Sequence, residues 1–279
     1  MKRWMRLAVV VGASLIAVAV MGLYTVSDIM MQRRDHPALP TIHASTGPTA
    51  VARGERLARL YGCTGCHADT LQGQEWQTDF LTGRLYTANL TRAMPHYSDA
   101  ELARAIREGV KPDGSALWGM PSESWIATTD AEMADLLAWL RTHPPKGEST
   151  PTPTLGPLSR LKLVLGHMKS SHGYVVESRA LPSFDAGPQF ARGRHLAATV
   201  CSECHRSNLK GDPGWTPDLT IAAAYDRPLF IRLMRTGIGM DGKEHGLMTE
   251  VSRDRLVHFT DQEIAELHAY LTARAERMP

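Results

Sequence analysis

All four cysteines of the chain lie in two copies of one pattern, Cys63-Thr64-Gly65-Cys66-His67 and Cys201-Ser202-Glu203-Cys204-His205. Two thiols at this spacing can add to the two vinyl groups of a haem. The adjacent histidine then reaches the iron from the proximal side, so Cys-x-x-Cys-His is the attachment pattern for c-type haem. Three other chemistries use similar residues. A four-cysteine zinc site sets its Cys-x-x-Cys halves about 15–20 residues apart and does not require the histidines, whereas most of a domain separates the halves here. A thioredoxin-like redox pair needs a βαβ setting, which the sequence lacks. Ordinary buried cysteines would not recur in register with a following histidine. The pattern therefore implies two covalently bound haem c groups, one on Cys63, Cys66 and His67 and one on Cys201, Cys204 and His205, with no thiol left for a disulfide.

The surroundings of the motifs repeat in one order. Arg53-Gly54 precedes the first as Arg192-Gly193 precedes the second, and Leu71-x-Gly73 and Leu209-x-Gly211 follow at equal distance. Tyr86-Thr87-Ala88-Asn89-Leu90-Thr91 matches Trp215-Thr216-Pro217-Asp218-Leu219-Thr220. Gly109-Val110-x-x-Asp113-Gly114 matches Gly237-Ile238-x-x-Asp241-Gly242. Thr129-Asp130-Ala131-Glu132 opens a segment ending Ala138-Trp139-Leu140, as Thr260-Asp261-Gln262-Glu263 opens one ending Ala269-Tyr270-Leu271. Such a repeat describes two homologous modules. It also selects a second iron ligand. Of thirteen methionines only Met120 and Met248 share a register, seven positions after Asp113 and Asp241, and they are the expected sixth ligands. Met94 and Met240 lie nearby without counterparts. His96, His195, His245 and His258 would serve bis-histidine sites, although a surface or hydrogen-bonded role is the ordinary one for such residues.

The elements that must position these groups are helical. Ser98 with Glu101, Thr129 with Glu132 and Thr260 with Glu263 have the spacing of capping boxes at helix starts. The helix after Thr129 should stop before Pro144-Pro145, because proline cannot continue it. Each module is thus expected to have a helix leading to its cysteines, a middle helix and a C-terminal helix. Residues 144–187 hold many prolines and read as a semi-extended linker, within which Leu158–Leu165 suggests a short amphipathic helix packed on a domain.

With these residues in place, the chain resembles a class I cytochrome c repeated twice, similar to the dihaem subunits that serve membrane-bound dehydrogenases and terminal oxidases. The resemblance covers about 48–143 and 188–275 and implies an all-α fold of two tandem class I cytochrome c domains after an N-terminal transmembrane helix. In that family a glycine on the first helix packs against an aromatic on the last, which would be Gly54 with Trp139 and Gly193 with Tyr270. A loop carbonyl accepts a hydrogen bond from the proximal histidine; the resemblance puts it on Pro217 in the second module, while Ala88 departs from the family's proline in the first. Leu90 and Leu219 would cover a haem face.

The N-terminus reads as an anchor. Lys2, Arg3 and Arg6 precede an uncharged run, Leu7–Val26, and a helix of about 20 such residues spans about 30 Å of hydrocarbon. Ala17-Val18-Ala19 lies inside the run and Ser27–Met31 is a poor cleavage site, so an uncleaved anchor is expected rather than a removed signal. The basic end should stay in the cytoplasm, although Arg33 and Arg34 on the far side oppose this. The expected layout is a single-pass anchor over 1–31 in a bacterial inner membrane, a tether over 32–47 lifting the first domain off the bilayer, domains over 48–143 and 188–279 in the periplasm, and the linker between them. With 31 Lys+Arg against 29 Asp+Glu, the chain lacks the basic footprint of a nucleic-acid binder.

A histidine–methionine iron is coordinatively saturated and suited to changing valence. The expected function is electron transfer from a membrane or periplasmic oxidoreductase towards a terminal oxidase or a soluble cytochrome, alone or as a subunit of a larger complex. The alternative is a dihaem enzyme, such as a peroxidase or thiosulfate dehydrogenase, which needs one open or displaceable distal position. Equivalent methionines in both modules and the absence of a spare cysteine argue against it.

Overall fold

A computed structural model describes residues 2–278, with Met1 and Pro279 outside the described residues. Helix α1 (Lys2–Met31) carries the apolar run, none of whose most apolar window is buried within the protein. The first module follows as α2 (Pro48–Leu60), the single turn α3 (Cys63–His67), a hairpin of β1 (Glu75–Asp79) and β2 (Gly83–Tyr86), then α4 (Leu90–Ala93), α5 (Asp99–Glu108) and α6 (Asp130–Leu140). All three expected capping boxes form with both halves in place, on α5, α6 and α13 (Asp261–Arg277). The second module consists of α9 (Ala191–Leu196), α10 (Ser202–His205), α11 (Arg227–Thr236), α12 (Leu247–Asp254) and α13.

In each module the first and last helices cross at a glycine. A Cβ on Gly54 would collide with the Asp135 carbonyl and the Trp139 Cβ, and one on Gly193 with the Glu266 carbonyl and the Tyr270 Cβ. Only a missing side chain lets the backbones approach so closely. Both aromatics are buried, and the Tyr270 hydroxyl donates to the Phe184 carbonyl at 2.9 Å.

Two segments differ from expectation. Residues 144–187 contain the expected short helix, as α7 (Pro157–Val164) lying on α1, but are not semi-extended around it: β3 (Thr154–Leu155) adds antiparallel to β2, and α8 (Ser171–Ala180) packs on α5. Pro157 opens a helix here, since a proline in the first turn forfeits no intrahelical bond. The tether is also docked. Asp35 N–H donates to Gly114 O (2.9 Å), Ala44 N–H to Asp99 (2.7 Å) and Ser45 N–H to Ala134 O (2.9 Å), with Ile42 buried. It runs along the first module rather than holding it away from α1.

The two modules share one core that passes from Leu57, Leu60 and Tyr61 to Leu196 and Ala197. Their polar interface has an approximate two-fold relation. Arg56, two residues after Gly54, donates to Glu263 at 2.9 and 3.1 Å. His195, two residues after Gly193, meets Glu132 at 2.8 Å. The capping glutamate of each module's last helix is thus held by the first helix of the other, and Arg192 spans both, at 3.3 Å from Glu132 and 3.1 Å from Glu263.

Burial alone would push the Glu132 carboxyl up, but His195, the Thr129 amide and Arg192 together bring it from 4.5 down to about 2. Its charge therefore stabilises the fold above about pH 4.5, and that contribution fades as the pH falls towards 2. A shift of this size corresponds to roughly 3 kcal/mol before solvent screening, and to less at this partly exposed carboxyl. Thermal unfolding followed between about pH 2 and 6 should show a steep loss of stability in the native chain and a flatter profile, from a lower starting point, in Glu132→Gln. Parallel profiles would show that the interface does not depend on this charge.

Candidate functional site

Each Cys-x-x-Cys-His segment is one helical turn, which puts the two cysteines, three apart, on the same side. The modules reach that turn differently. In the first, Gly62 adopts the left-handed conformation (φ 75°) between α2 and α3. In the second, one residue fewer separates the crossing glycine from the first cysteine, and Ala197–Cys201 widens into a π-helical turn instead. Beyond the histidines the backbones coincide. Ala68 and Leu71 have φ of 61° and 56°, and Arg206 and Leu209 have 62° and 61°. A positive φ outside glycine costs on the order of 1–3 kcal/mol, so the same strain at the same two positions of each module marks a constrained loop. What holds it is the Gly73 N–H on His67 O (2.9 Å) and the Gly211 N–H on His205 O (3.0 Å), with Leu71 and Leu209 fully buried beneath.

A second loop orients each imidazole. His67 Nδ1 donates to Ala88 O at 2.8 Å, and His205 Nδ1 to Pro217 O at 2.9 Å. A carbonyl can only accept, so Nδ1 carries the proton and Nε2 keeps a free lone pair. Ala88 does the work of Pro217 because the interaction uses backbone, not side chain. The carbonyls come close because Gly73 and Gly211 lack a Cβ: one on Gly73 would strike Thr87 O and Ala88, and one on Gly211 would strike Thr216 O and Pro217 O. Burial pushes the His67 and His205 pKa values down, against the carbonyl bonds, so both rings are neutral. Burial likewise pushes the Cys63 and Cys201 thiols up to about 12, the opposite of an activated thiolate.

In the first module Cys63, Cys66 and His67 open onto a cavity of about 710 Å³ whose walls include Leu90, Ile106, Trp125 and Leu136. That size and apolar lining suit a bound macrocycle. Met120 lines the cavity with them, as does Met94, which is almost fully buried. In the second module Met248 is partly buried on the core at the start of α12, whereas Met240 is 44% exposed. His96 is exposed, His195 is engaged with Glu132, His245 meets Asp241 at 3.2 Å, and the His258 carbonyl accepts from Arg56. Two thiols, an oriented neutral imidazole and a thioether thus gather around an apolar space in the first module, the donor set that haem c takes. Among the described residues no group of three His, Cys, Asp or Glu side chains gathers as a metal site.

Two residues to which the sequence pattern assigns no role also line that cavity. Arg255, just past α12 of the second module, covers Gly62 and donates to Glu203 at 2.6 Å. The pair is only 17% and 23% exposed. Neither has a counterpart in the repeat: Gly65 stands where Glu203 does, and Arg255 falls between Met248 and Thr260, a stretch three residues longer than the one between Met120 and Thr129. The one available signal was the charged Glu203 inside a motif whose other spacer residues are small and neutral.

A family model for cytochrome c matches residues 51–144 and 190–274. The chain belongs to the cytochrome c family. It is accordingly a mostly helical protein of two cytochrome c domains after an apolar N-terminal helix, the kind of domain that holds covalently bound haem c. Among curated proteins, this cytochrome c is 27% identical to the fructose dehydrogenase cytochrome subunit of Gluconobacter japonicus, over 85% of this chain and 55% of that one. It is 29% identical to a diheme cytochrome c-type protein of Cereibacter sphaeroides, over 55% of this chain and 56% of that one. The cytochrome c subunit of the quinone alcohol dehydrogenase of Gluconacetobacter polyoxogenes is 30% identical, over 56% of this chain and 35% of that one. The chain therefore spans about half the length, or less, of these relatives.

The Gly211→Ala variant should displace the Pro217 carbonyl and free the His205 ring. The expected result is a loss of at least about 2 kcal/mol in thermal unfolding, with a heterogeneous second haem signal in the paramagnetic-resonance spectrum. An unchanged spectrum and melting temperature would show that this glycine does not hold the carbonyl in place.

Proposed function

We propose that the chain is a membrane-anchored dihaem electron carrier with its domains at 48–143 and 188–279. In this reading Cys63 and Cys66 hold one haem c and Cys201 and Cys204 a second. His67 and His205 are the proximal ligands, and Met120 and Met248 the sixth ligands. Haem c supplies a one-electron change of iron valence. The observation that carries the reading is the pair of Nδ1–carbonyl bonds, made at 2.8 and 2.9 Å in both modules, which leaves each Nε2 free and fixed in direction.

The remaining residues suit transfer rather than turnover. The apolar walls exclude water and limit reorganisation when the valence changes, and a thioether favours the reduced iron and raises its potential. Arg255 and Glu203, both of the second module, form an ion pair that lines the first cavity beside Gly62, so the modules meet near their Cys-x-x-Cys-His turns. The relatives named as cytochrome subunits of fructose and alcohol dehydrogenases support a partner oxidoreductase subunit as electron donor. A terminal oxidase or soluble cytochrome is the acceptor in this reading. Helix α1 supports placement as a single-pass protein of a bacterial inner membrane, with the haem domains in the periplasm.

Intact mass of the isolated chain tests the count: two haems on the native protein, and one after either cysteine pair is replaced by alanine. A single haem would overturn the reading. Redox titration tests the junction. Arg255→Leu leaves the Glu203 charge uncompensated, which favours oxidised iron and should lower the nearby potentials; Glu203→Gln should raise them. Shifts of the same sign in both variants would mean that the pair acts only as packing.

A further inference from the structure

The insertion that distinguishes the first module from the second points at a surface. From the histidine to its carbonyl partner the chain advances 21 positions in the first module but 12 in the second. The extra length is the β1–β2 hairpin, and its tip is apolar and uncovered: Phe80 is 85% exposed and Leu81 53%. The tip rests on the start of α7, where the Leu158 N–H donates to Leu81 O at 2.8 Å and the Gly156 N–H to Thr82 O at 3.0 Å.

Helix α7 has two faces. Ser159 and Leu163 are buried, while Leu158, Leu161 and Leu165 form an exposed stripe at helical spacing. A short surface helix with a leucine stripe in water is unfavourable unless something covers it. Its position says what does. Arg160, in the first turn of α7, donates to the Ser27 hydroxyl and to Asp28, both at 2.6 Å, and its guanidinium stacks over the Tyr24 ring at 4.4 Å. Tyr24–Asp28 is the stretch where the uncharged run of α1 ends, hence where a spanning helix would leave the hydrocarbon. The leucines of α7 and the hairpin tip therefore continue the apolar surface of α1 at its boundary. Helix α7 itself holds no acidic side chain and carries Lys162, while Lys169 beyond it is paired with Glu177 at 2.8 Å; a lysine beside the leucine stripe is a charge that an anionic lipid surface attracts.

We propose that α7 and the Phe80–Leu81 tip form a lipid-docking surface, seating the first module on the headgroup–acyl boundary beside α1. This rests on reading α1 as a retained anchor. Docking would bring the first cavity, which Met31 of α1 also lines, to the membrane surface and leave the second module farther out.

The test uses the full haem-loaded chain in bilayer discs with no other protein, containing phospholipid with a photoreactive group on its acyl chain. After irradiation, lipid adducts are mapped by peptide mass spectrometry. Adducts are expected on α1, on the peptide holding Leu158–Leu165 and on the peptide holding Phe80–Leu81, with none at the exposed Trp215 and Ile221 of the second module. Replacing part of the zwitterionic lipid by phosphatidylglycerol should increase labelling of the α7 peptide, and Lys162→Glu should remove that increase. The double variant Leu161→Ser/Leu165→Ser should lose the α7 adducts while keeping those on α1. Adducts on α1 alone would overturn the docking surface and leave its leucines to a protein partner. Absence of adducts from α1 itself would instead overturn the anchor reading, and the proposal with it.

Discussion

The arrangement depends on a backbone carbonyl placed against a histidine ring nitrogen. A free imidazole rotates and exchanges tautomers; one whose Nδ1 donates to Ala88 O or Pro217 O does neither. Making that bond twice imposes much of the local structure. The carbonyl strand can approach only past a glycine, hence Gly73 and Gly211. The histidine must be held from behind, hence the positive φ of Ala68 and Leu71, Arg206 and Leu209, and the amide bonds back to His67 O and His205 O. The turn bearing the cysteines must stay in place, hence a first helix fastened to the last by the crossings at Gly54 and Gly193.

The pairing of the modules adds a second constraint. Most of the interface repeats itself, with Arg56 on Glu263 and His195 on Glu132, as two copies of one module packed face to face would produce. At the cofactor-bearing turns the symmetry stops. Only the second module supplies an Arg–Glu pair, and it supplies it to the cavity of the first. The two Cys-x-x-Cys-His turns, otherwise similar, thereby acquire different electrostatic surroundings.

Much of this was legible in the residues. The attachment motifs, the repeat and the three capping boxes rest on local spacing, and local spacing survives into the fold. The glycine–aromatic crossings and the carbonyl at Pro217 came from family resemblance, and the geometry agrees with both; Ala88 shows why the departure from proline was harmless. What escaped was tertiary. The prolines of 144–187 point to a semi-extended linker with one short helix; α7 is there, but composition reports backbone preference and not partners, and β3 and α8 depend on β2 and α5. The tether was misjudged for the same reason, since the hydrogen bonds of Asp35, Ala44 and Ser45 all end on distant residues. Arg255 carried no signal at all, because it has no counterpart in the repeat and acts across the interface.

The central claim is that both irons are six-coordinate with histidine and methionine, built to carry electrons rather than to turn over a substrate. The measurement that tests it most directly is the low-temperature paramagnetic-resonance spectrum of the fully oxidised, membrane-extracted chain, taken before and after peroxide is added. Two low-spin ferric signals that peroxide leaves unchanged, one lost on Met120→Ala and the other on Met248→Ala, are the predicted result. A high-spin signal in the native protein, or one that peroxide consumes, would contradict the account and turn attention to an open catalytic haem.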